Sequence, residues 1–141
     1  VIIQTYSPEH YAVTFAAAQD YEGFYGTEIQ LRKYMSYPPY SDLIQIVFTS
    51  DEQQAALAGA EDWYGRLMNE MKPEDRSSVF APQEAYMSKI KDVYRYSMLI
   101  KCLKGKRREY SNIIESLKEE DRRKRNKKYT AVVDINPYSF V

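Results

Sequence analysis

The sequence contains one cysteine, Cys102, and one histidine, His10, among its 141 residues. A single cysteine excludes an internal disulfide, and the two residues together are too few for a structural zinc site. They also stand far apart in sequence, which argues against a Cys–His nucleophilic pair. A reduced, cytoplasmic setting fits this composition.

The sequence also lacks net charge and any long apolar segment. Its 20 Lys and Arg residues balance 20 Asp and Glu residues, which excludes the uniformly positive field of a general nucleic-acid packaging protein. No apolar run approaches the ~20 residues of a membrane-spanning helix, and no signal peptide is recognised. Because the chain starts with Val1 and the opening VIIQT has the pattern of a buried strand without a partner, we expect a piece of a longer protein.

Enzyme motifs are missing as well. The sequence has no G-x-x-x-x-G-K-[ST] loop for nucleotide phosphates, no nucleophile elbow and no metal-ligand spacing. Two carboxylate clusters, at residues 51–52 and 119–121, are predicted to lie on or beside surface helices. We therefore predict no catalytic residue, no cofactor and no metal site in this chain.

What the sequence does contain is an alternation of strand and helix patterns from residue 41 onward. DLIQIVFTS has the two-residue period of a strand. Ser50 and Gln53 have the spacing of a capping box for the next helix. One stripe of that helix is apolar: Ala56, Ala60, Trp63, Tyr64, Leu67, Met68 and Met71.

Two more strands, a helix and a last strand follow. SVFAPQEAY predicts an edge strand because Pro82 interrupts it, and VYRYSMLIKCL is the longest strand candidate. A helix is expected from about Arg107 to Asn126, and YTAVVDI is the final strand. The order β-α-β-β-α-β predicts an α+β, ferredoxin-like split βαβ fold, an antiparallel sheet with both helices on one face and the first and third strands in the centre.

The first 40 residues form a separate unit in this interpretation. The VIIQT strand is followed by a helix that begins at Ser7-Pro8-Glu9, a strong start signal. A second helix is expected from about Asp20 to Ser36, where YPPY stops it. We therefore divide the chain into residues 1–40 and 41–141.

The strand at residues 93–103 indicates where a ligand would bind. With helices on one face of the sheet, the other face is open. Placing the more apolar side of this strand in the core leaves Arg95, Ser97 and Lys101 outside. Arg95 is then a better ligand candidate than Tyr94 or Tyr96, although the opposite register would expose both tyrosines for base stacking.

Two further groups of cations lack nearby acidic residues. Lys89 and Lys91 lie in the loop between the second and third strands and continue onto Arg95. The second group, at residues 104–108, has only Glu109 beside it. Both groups are expected to meet an anion, either a nucleic-acid phosphate or a partner's carboxylate, and a solvated loop is the alternative in each case.

The charged run at residues 119–128 is expected to pair largely with itself. Acidic residues precede basic ones at the favourable i,i+4 spacing, in the pairs Glu119–Arg123, Glu120–Lys124 and Asp121–Arg125. The remaining cations of this run are candidates to contact a phosphate backbone: Arg122, Lys127 and Lys128.

Four stretches together resemble the carboxy-terminal region of the replication-restart helicases of the primosomal protein N′ (PriA) family. They are VIIQTYSPEH, LRKYMSYPPY, APQEAYMSKIKDVYRYSMLIK and the closing VVDINPYSFV, and they extend over essentially the whole chain. The order and spacing of the stretches are specific, although no single motif decides. The resemblance implies that residues 1–40 are the end of the second helicase lobe with a helical linker, and that residues 41–141 are the final domain.

The resemblance also implies a function and partners. The final domain of this family binds forked or single-stranded DNA and the acidic tail of single-stranded DNA-binding protein, among other primosome proteins. By position, Arg107 and Ser111 match the residues that hold this tail, although Ser111 is shorter than the amide side chain expected there. ATP, magnesium and zinc are expected only in other parts of the parent helicase, whose motifs this sequence does not contain.

The leading hypothesis is a non-catalytic domain of an ATP-dependent DNA helicase that binds DNA and a partner protein. The candidate DNA contacts are Lys89, Lys91, Arg95 and Lys101, and the candidate tail contacts are Arg107 and Ser111. The alternative is a free-standing RNA-binding module of ribosomal-protein type, which has the same order of elements. A small enzyme or small-molecule sensor using the open face is a third interpretation, but the sequence offers no convergent polar cluster for it.

Overall fold

The computed structural model describes residues 1–138, so the last three residues of the predicted second unit lie outside the described residues. Two helices come first, α1 (Tyr11–Ala17) and α2 (Tyr21–Tyr34). The other elements follow in the predicted order: β1 (Ser41–Ser50), α3 (Gln53–Glu70), β2 (Val79–Ile90), β3 (Val93–Leu103), α4 (Arg107–Arg123) and β4 (Thr130–Ile135). A 3₁₀ turn (Pro73–Ser78) joins α3 to β2.

The four strands form one antiparallel sheet in the order β2-β3-β1-β4. β1 and β3 are central, and β2 is an edge strand, as the position of Pro82 indicated. Buried side chains of α3 and α4 join those of β1 and β3 in one core, so both helices lie on the same face. The predicted ferredoxin-like fold is confirmed.

The core lies between this face of the sheet and the two helices. Its members recur at every second residue of β1 and β3 and along one stripe of each helix, as the two periodicities predict. The largest fully buried apolar side chains are Trp63, Phe48, Ile44, Ile46, Leu67, Met98, Ile100 and Leu117. Burying one such side chain stabilises the fold by roughly 1.5–3 kcal/mol, so this layer decides which face of each strand stays outside.

A buried carboxylate joins α3, α4 and the segment before β4. Asp121 is only 3% exposed. One of its oxygens accepts hydrogen bonds from the Trp63 indole N–H (2.8 Å) and the Tyr129 hydroxyl (2.7 Å). The other accepts from Arg66 (2.8 Å) and lies 3.2 Å from the Lys124 ammonium. This network holds the start of β4 beside the two helices.

The predicted strand at residues 1–5 is wrong. These residues pair with no strand in the part of the chain that the structure describes, and the first two side chains are fully exposed. A strand needs a neighbour for its backbone hydrogen bonds, which an apolar pattern alone does not supply. α1 also begins later than predicted, at Tyr11, where the His10 side chain accepts a hydrogen bond (3.2 Å) from a first-turn amide.

The predicted capping box at the start of α3 is also wrong, because its two side chains have tertiary partners. The Ser50 hydroxyl accepts from the Glu52 amide (3.1 Å) and donates to the Lys128 carbonyl (2.7 Å). The helix instead begins after Glu52, and the Gln53 amide group donates to the Tyr96 hydroxyl (3.1 Å).

The end of α4 differs from its prediction for a similar reason. The three ion pairs expected at i,i+4 spacing are absent from the described residues. Glu119 pairs with Arg122, and Glu120 pairs across the helix interface with Arg66 at 2.9 Å. α4 ends at Arg123 rather than at residue 126, because Asp121 draws the following lysines toward the helix interface.

Candidate nucleic-acid interface

The register of β3 agrees with the sequence prediction. Tyr96, Met98 and Ile100 are buried against the helices, whereas Arg95 and Lys101 are half-exposed on the other face. We call that face, opposite α3 and α4, the open face. It carries polar side chains as well as apolar ones, and it is not exposed throughout, since Leu43 and Gln45 of β1 on this face are only 5% and 7% exposed.

The first polar row of the open face crosses three strands at one end of the sheet. Thr49 of β1 pairs with Arg95 of β3 on one side and with Thr130 of β4 on the other. Neighbouring strands are about 4.8 Å apart, so this row is roughly 10 Å long. We call it the Arg95 row; it offers one guanidinium and two hydroxyls, all groups that bind phosphate oxygens.

The β2–β3 hairpin ends beside this row. Lys91 and Asp92 form its turn, with left-handed φ angles of 49° and 63°. Lys89 forms an ion pair with Asp92 at 3.0 Å, and its ammonium lies 4.9 Å from the centroid of the Tyr94 ring. The hydrogen bond to the Asp92 carboxylate is the main reason that the pKa of Lys89 is raised, and the phenolic group of Tyr94 adds to it, so this side chain stays charged.

The structure brings three of the four predicted DNA contacts to one end of the sheet, but they do not share a face. Arg95 lies on the open face, Lys91 lies in the turn, and Lys89 lies opposite Tyr94, whose ring packs against the core. These three cations therefore surround the end of the hairpin. We call residues 86–95 the hairpin tip.

Lys101 lies near the other end of β3, about 20 Å from Arg95 at ~3.3 Å per residue. Its ammonium donates to the Met35 carbonyl (3.1 Å) and lies over the rings of Tyr37 (4.4 Å) and Phe80 (5.6 Å). The segment between α2 and β1 thus covers this end of the open face. This contact could not be predicted from the sequence, because Met35 precedes Lys101 by 66 residues.

Sequence reasoning did not foresee that Lys127 and Lys128 lie at the same end of the sheet as the hairpin turn. They line a polar groove of about 420 Å³ together with Thr49, Thr130 and the acidic Asp51. Both lysines have carboxylate partners, Asp121 at 3.7 Å and Glu52 at 2.9 Å respectively. The groove extends the Arg95 row toward the start of β4.

Arg107 and Ser111 lie one turn apart at the start of α4, at the opposite end of the sheet from the hairpin tip. The Arg107 side chain is 55% exposed, and its guanidinium is 3.8 Å from the Asp42 carboxylate. Asp42 also accepts a hydrogen bond from the Asn136 amide (2.7 Å). No side chain of the described residues caps α4, so its first amides add positive potential beside Arg107.

The prediction that this group of cations lacks acidic partners is wrong for two of its members. Lys106 forms an ion pair with Asp75, which is 3% exposed. The hydrogen bond to Asp75 is the main reason that the pKa of Lys106 is raised. Arg107 has Asp42 beside it, as described above. Asp75 precedes Lys106 by 31 residues, so proximity in sequence could not reveal the pair.

Neither a metal site nor a membrane-spanning helix is found in residues 1–138. No group of three His, Cys, Asp or Glu side chains there could hold a metal ion. None of the helices there is both long and apolar enough to cross a bilayer.

Comparisons with known proteins identify relatives over the whole chain. The chain is 32% identical over 142 residues to the replication restart protein PriA of Bacillus subtilis, an alignment that covers 100% of this chain and 17% of the relative. It is 30% identical over 138 residues to the PriA of Borreliella burgdorferi (98% and 20%). It is 33% identical over 100 residues to the PriA of Thermotoga maritima (71% and 13%).

These relatives are much longer than the chain, which spans a fifth of their length or less. Residues 33–138 match the family model described as the primosomal protein N C-terminal domain. That range contains the whole sheet with α3 and α4. The predicted resemblance is confirmed, and the chain belongs to the family of the primosomal protein N C-terminal domain.

Proposed function

We propose that the ferredoxin-like domain of this chain binds single-stranded or forked DNA through the hairpin tip and the Arg95 row. The observation that carries the proposal is the convergence of Lys89, Lys91 and Arg95 at the end of the sheet where the open face is polar. Cations of this kind bind phosphates whatever the base sequence, because each contact releases a condensed counterion. Membership of a family of replication restart proteins supports DNA as the ligand.

Lys101 has a smaller part in this proposal than the sequence suggested. Its ammonium already has a carbonyl and two aromatic rings as neighbours. Moving it to a phosphate would cost these contacts. We assign it to holding the segment before β1 on the sheet, with only a long-range electrostatic effect on DNA.

The second proposed ligand is the acidic tail of single-stranded DNA-binding protein, bound at the start of α4. Arg107 would hold a carboxylate of the tail, and Ser111 would lie beside it on the same face of the helix. The 3.8 Å separation between Arg107 and Asp42 leaves the guanidinium only loosely paired. The two proposed sites lie at opposite ends of β3, whose 11 residues span roughly 35 Å, so both ligands could bind together.

The domain also has a proposed place in a longer protein. We infer that residues 1–40 are the end of a helicase lobe with a helical linker, and that residues 41–141 are the DNA- and partner-binding domain. The parent would be an ATP-dependent helicase of the primosome, with its ATP, magnesium and zinc held elsewhere. The small share of the relatives' length that the chain spans supports this proposal.

A fluorescence titration tests the DNA proposal. The chain is titrated into labelled single-stranded and forked oligonucleotides at 50 mM and 200 mM salt. We expect the affinity to fall as the salt concentration rises. The slope of log affinity against log salt concentration should be about −0.7 for each phosphate that the chain contacts. Binding no tighter than that of a protein without a basic surface would contradict the proposal, and tighter binding of the matching ribo-oligonucleotide would favour the RNA-binding alternative.

The tail proposal is tested with a short acidic peptide that ends in a free carboxylate. Arg107→Gln is expected to weaken binding about tenfold, because a charge-assisted hydrogen bond is lost. Arg108→Gln removes the same charge from the next residue, about 100° around the helix, and should change affinity by no more than about twofold. Equal losses in both variants would show that only the local charge matters and would contradict a specific pocket.

A further inference from the structure

A large bulge interrupts the edge strand just before the hairpin turn. Glu84 of β2 pairs with Tyr96 of β3, and the next pair is Lys89 with Tyr94. Residues 85–88 therefore lie opposite Arg95 alone. An undisturbed antiparallel ladder places one residue opposite one residue, so the extra residues must leave the plane of the sheet.

The bulge projects an aromatic ring into solvent. Ala85 is buried at its start, whereas Tyr86 is 87% exposed and Met87 is 46% exposed. Among the described strands, Tyr86 is the most exposed of the large apolar side chains. Exposing this ring costs hydrophobic free energy that a packed position in the sheet would have provided.

Contacts of exposed side chains join the bulge to the rest of the hairpin. The Arg95 guanidinium donates to the Met87 carbonyl at 3.4 Å, across the gap that the extra residues create. The Lys89–Asp92 ion pair and the two left-handed turn residues fix the other side. A ring presented by a constrained backbone loses little conformational freedom when it binds a ligand.

The charges around Tyr86 favour a nucleic acid over an apolar partner. Three cations and two carboxylates lie within nine residues of it, which leaves the hairpin with a net positive charge, and the Arg95 row continues the polar surface across the sheet. Single-stranded nucleic acids are bound by this combination of aromatic platforms and a cationic path, because every base has a face that can stack.

We propose that Tyr86 is a stacking platform for an unpaired base of single-stranded DNA, with the flanking phosphates on the hairpin cations. This inference rests on the proposed function and explains why the chain would bind single-stranded DNA more tightly than duplex DNA. Bases inside a duplex are already stacked on each other and cannot offer a free face to Tyr86. The ring therefore strengthens binding to single strands and to unpaired ends, and contributes nothing to an uninterrupted duplex.

The test compares three variants on two probes with equal numbers of phosphates, a labelled single strand and a blunt duplex. Tyr86→Ala is expected to weaken single-strand binding about tenfold and to leave duplex binding and the salt slope unchanged. Tyr86→Phe retains the ring and should bind like the unaltered chain. Tyr21→Ala removes another exposed tyrosine, 73% exposed on α2, and should have no effect on either probe.

Other results of these titrations would separate a failure of the stacking role from a failure of DNA binding. Unchanged single-strand binding by Tyr86→Ala, or an equal loss on both probes, would overturn the stacking role while the DNA-binding proposal stands. A loss in Tyr86→Phe as large as that in Tyr86→Ala would assign the effect to the hydroxyl and also overturn stacking. If the unaltered chain binds neither probe, the proposed function itself fails.

Discussion

Replacing Asp121 by asparagine lowers the free energy of unfolding at pH 7 by about 3–5 kcal/mol. The carboxylate accepts hydrogen bonds at both oxygens, from Trp63 and Tyr129 at one and from Arg66 at the other. An asparagine amide has only one oxygen, so whichever way it turns, its NH₂ group faces donors. Because a domain is stabilised by only about 5–15 kcal/mol in total, equilibrium urea unfolding will detect the change easily.

The same carboxylate gives the domain a predicted acid sensitivity. Burial opposes ionisation of Asp121, but the hydrogen bonds from Trp63, Tyr129, Arg66 and Lys124 outweigh it and lower the pKa of its carboxyl to about 2. An unfolded aspartate has a pKa of about 3.9. The stability that Asp121 contributes is therefore fully present above about pH 4 and is lost as the pH falls toward 2.

Two comparisons isolate this effect. Asp121→Asn should lose less stability than the unaltered chain between about pH 4 and pH 2, because it lacks the titrating group. Glu115→Gln changes an exposed carboxylate on the same helix, which pairs with Lys118 at 2.8 Å, and should leave the urea midpoint at pH 7 unchanged. A midpoint for Asp121→Asn equal to that of Glu115→Gln would contradict the buried network.

Changing Lys89, Lys91 and Arg95 together to glutamine weakens binding of a single-stranded oligonucleotide about a hundredfold at low salt. Each removed contact leaves a counterion condensed on the DNA, so the salt slope should fall by about two units for three contacts. The measurement is a set of titrations at several salt concentrations. Lys101→Gln is expected to change the affinity far less, because its ammonium is held by the Met35 carbonyl and two rings.

A matched variant controls for net charge. Three lysines outside the hairpin tip and the Arg95 row are suitable: Lys33 in α2, Lys72 after α3 and Lys118 in α4. Changing all three to glutamine gives the same total charge. This control should retain the affinity and salt slope of the unaltered chain. Similar losses in both triple variants would mean that the DNA responds to overall charge and not to the hairpin tip.

The sequence was informative wherever a local pattern determined the structure. The two-residue period of β1 and β3 and the apolar stripe of α3 are local, and they led to the correct fold and to the correct faces of both central strands. Pro82 correctly indicated an edge strand, because a proline cannot donate to a ladder on both sides.

The predictions that were wrong or missing depend on contacts between distant parts of the chain. Lys106 pairs with Asp75, 31 residues earlier, and the Asp121 carboxylate meets Trp63, 58 residues earlier. The bulge that projects Tyr86 appears only when β2 is aligned with β3, because its own sequence resembles an ordinary strand. A stacking role assigned from sequence alone could not have distinguished Tyr86 from the other 13 of the 14 tyrosines.

Amide chemical-shift mapping will show whether single-stranded DNA lies against the hairpin tip and the Arg95 row. The isotope-labelled chain is titrated with a short single-stranded oligonucleotide. We expect the largest shifts on residues 84–95 and on Thr49 and Thr130, while the start of α4 is unaffected. Shifts concentrated on α1 and α2, or on the outer surface of α3 and α4, with the hairpin tip unchanged, would contradict this expectation.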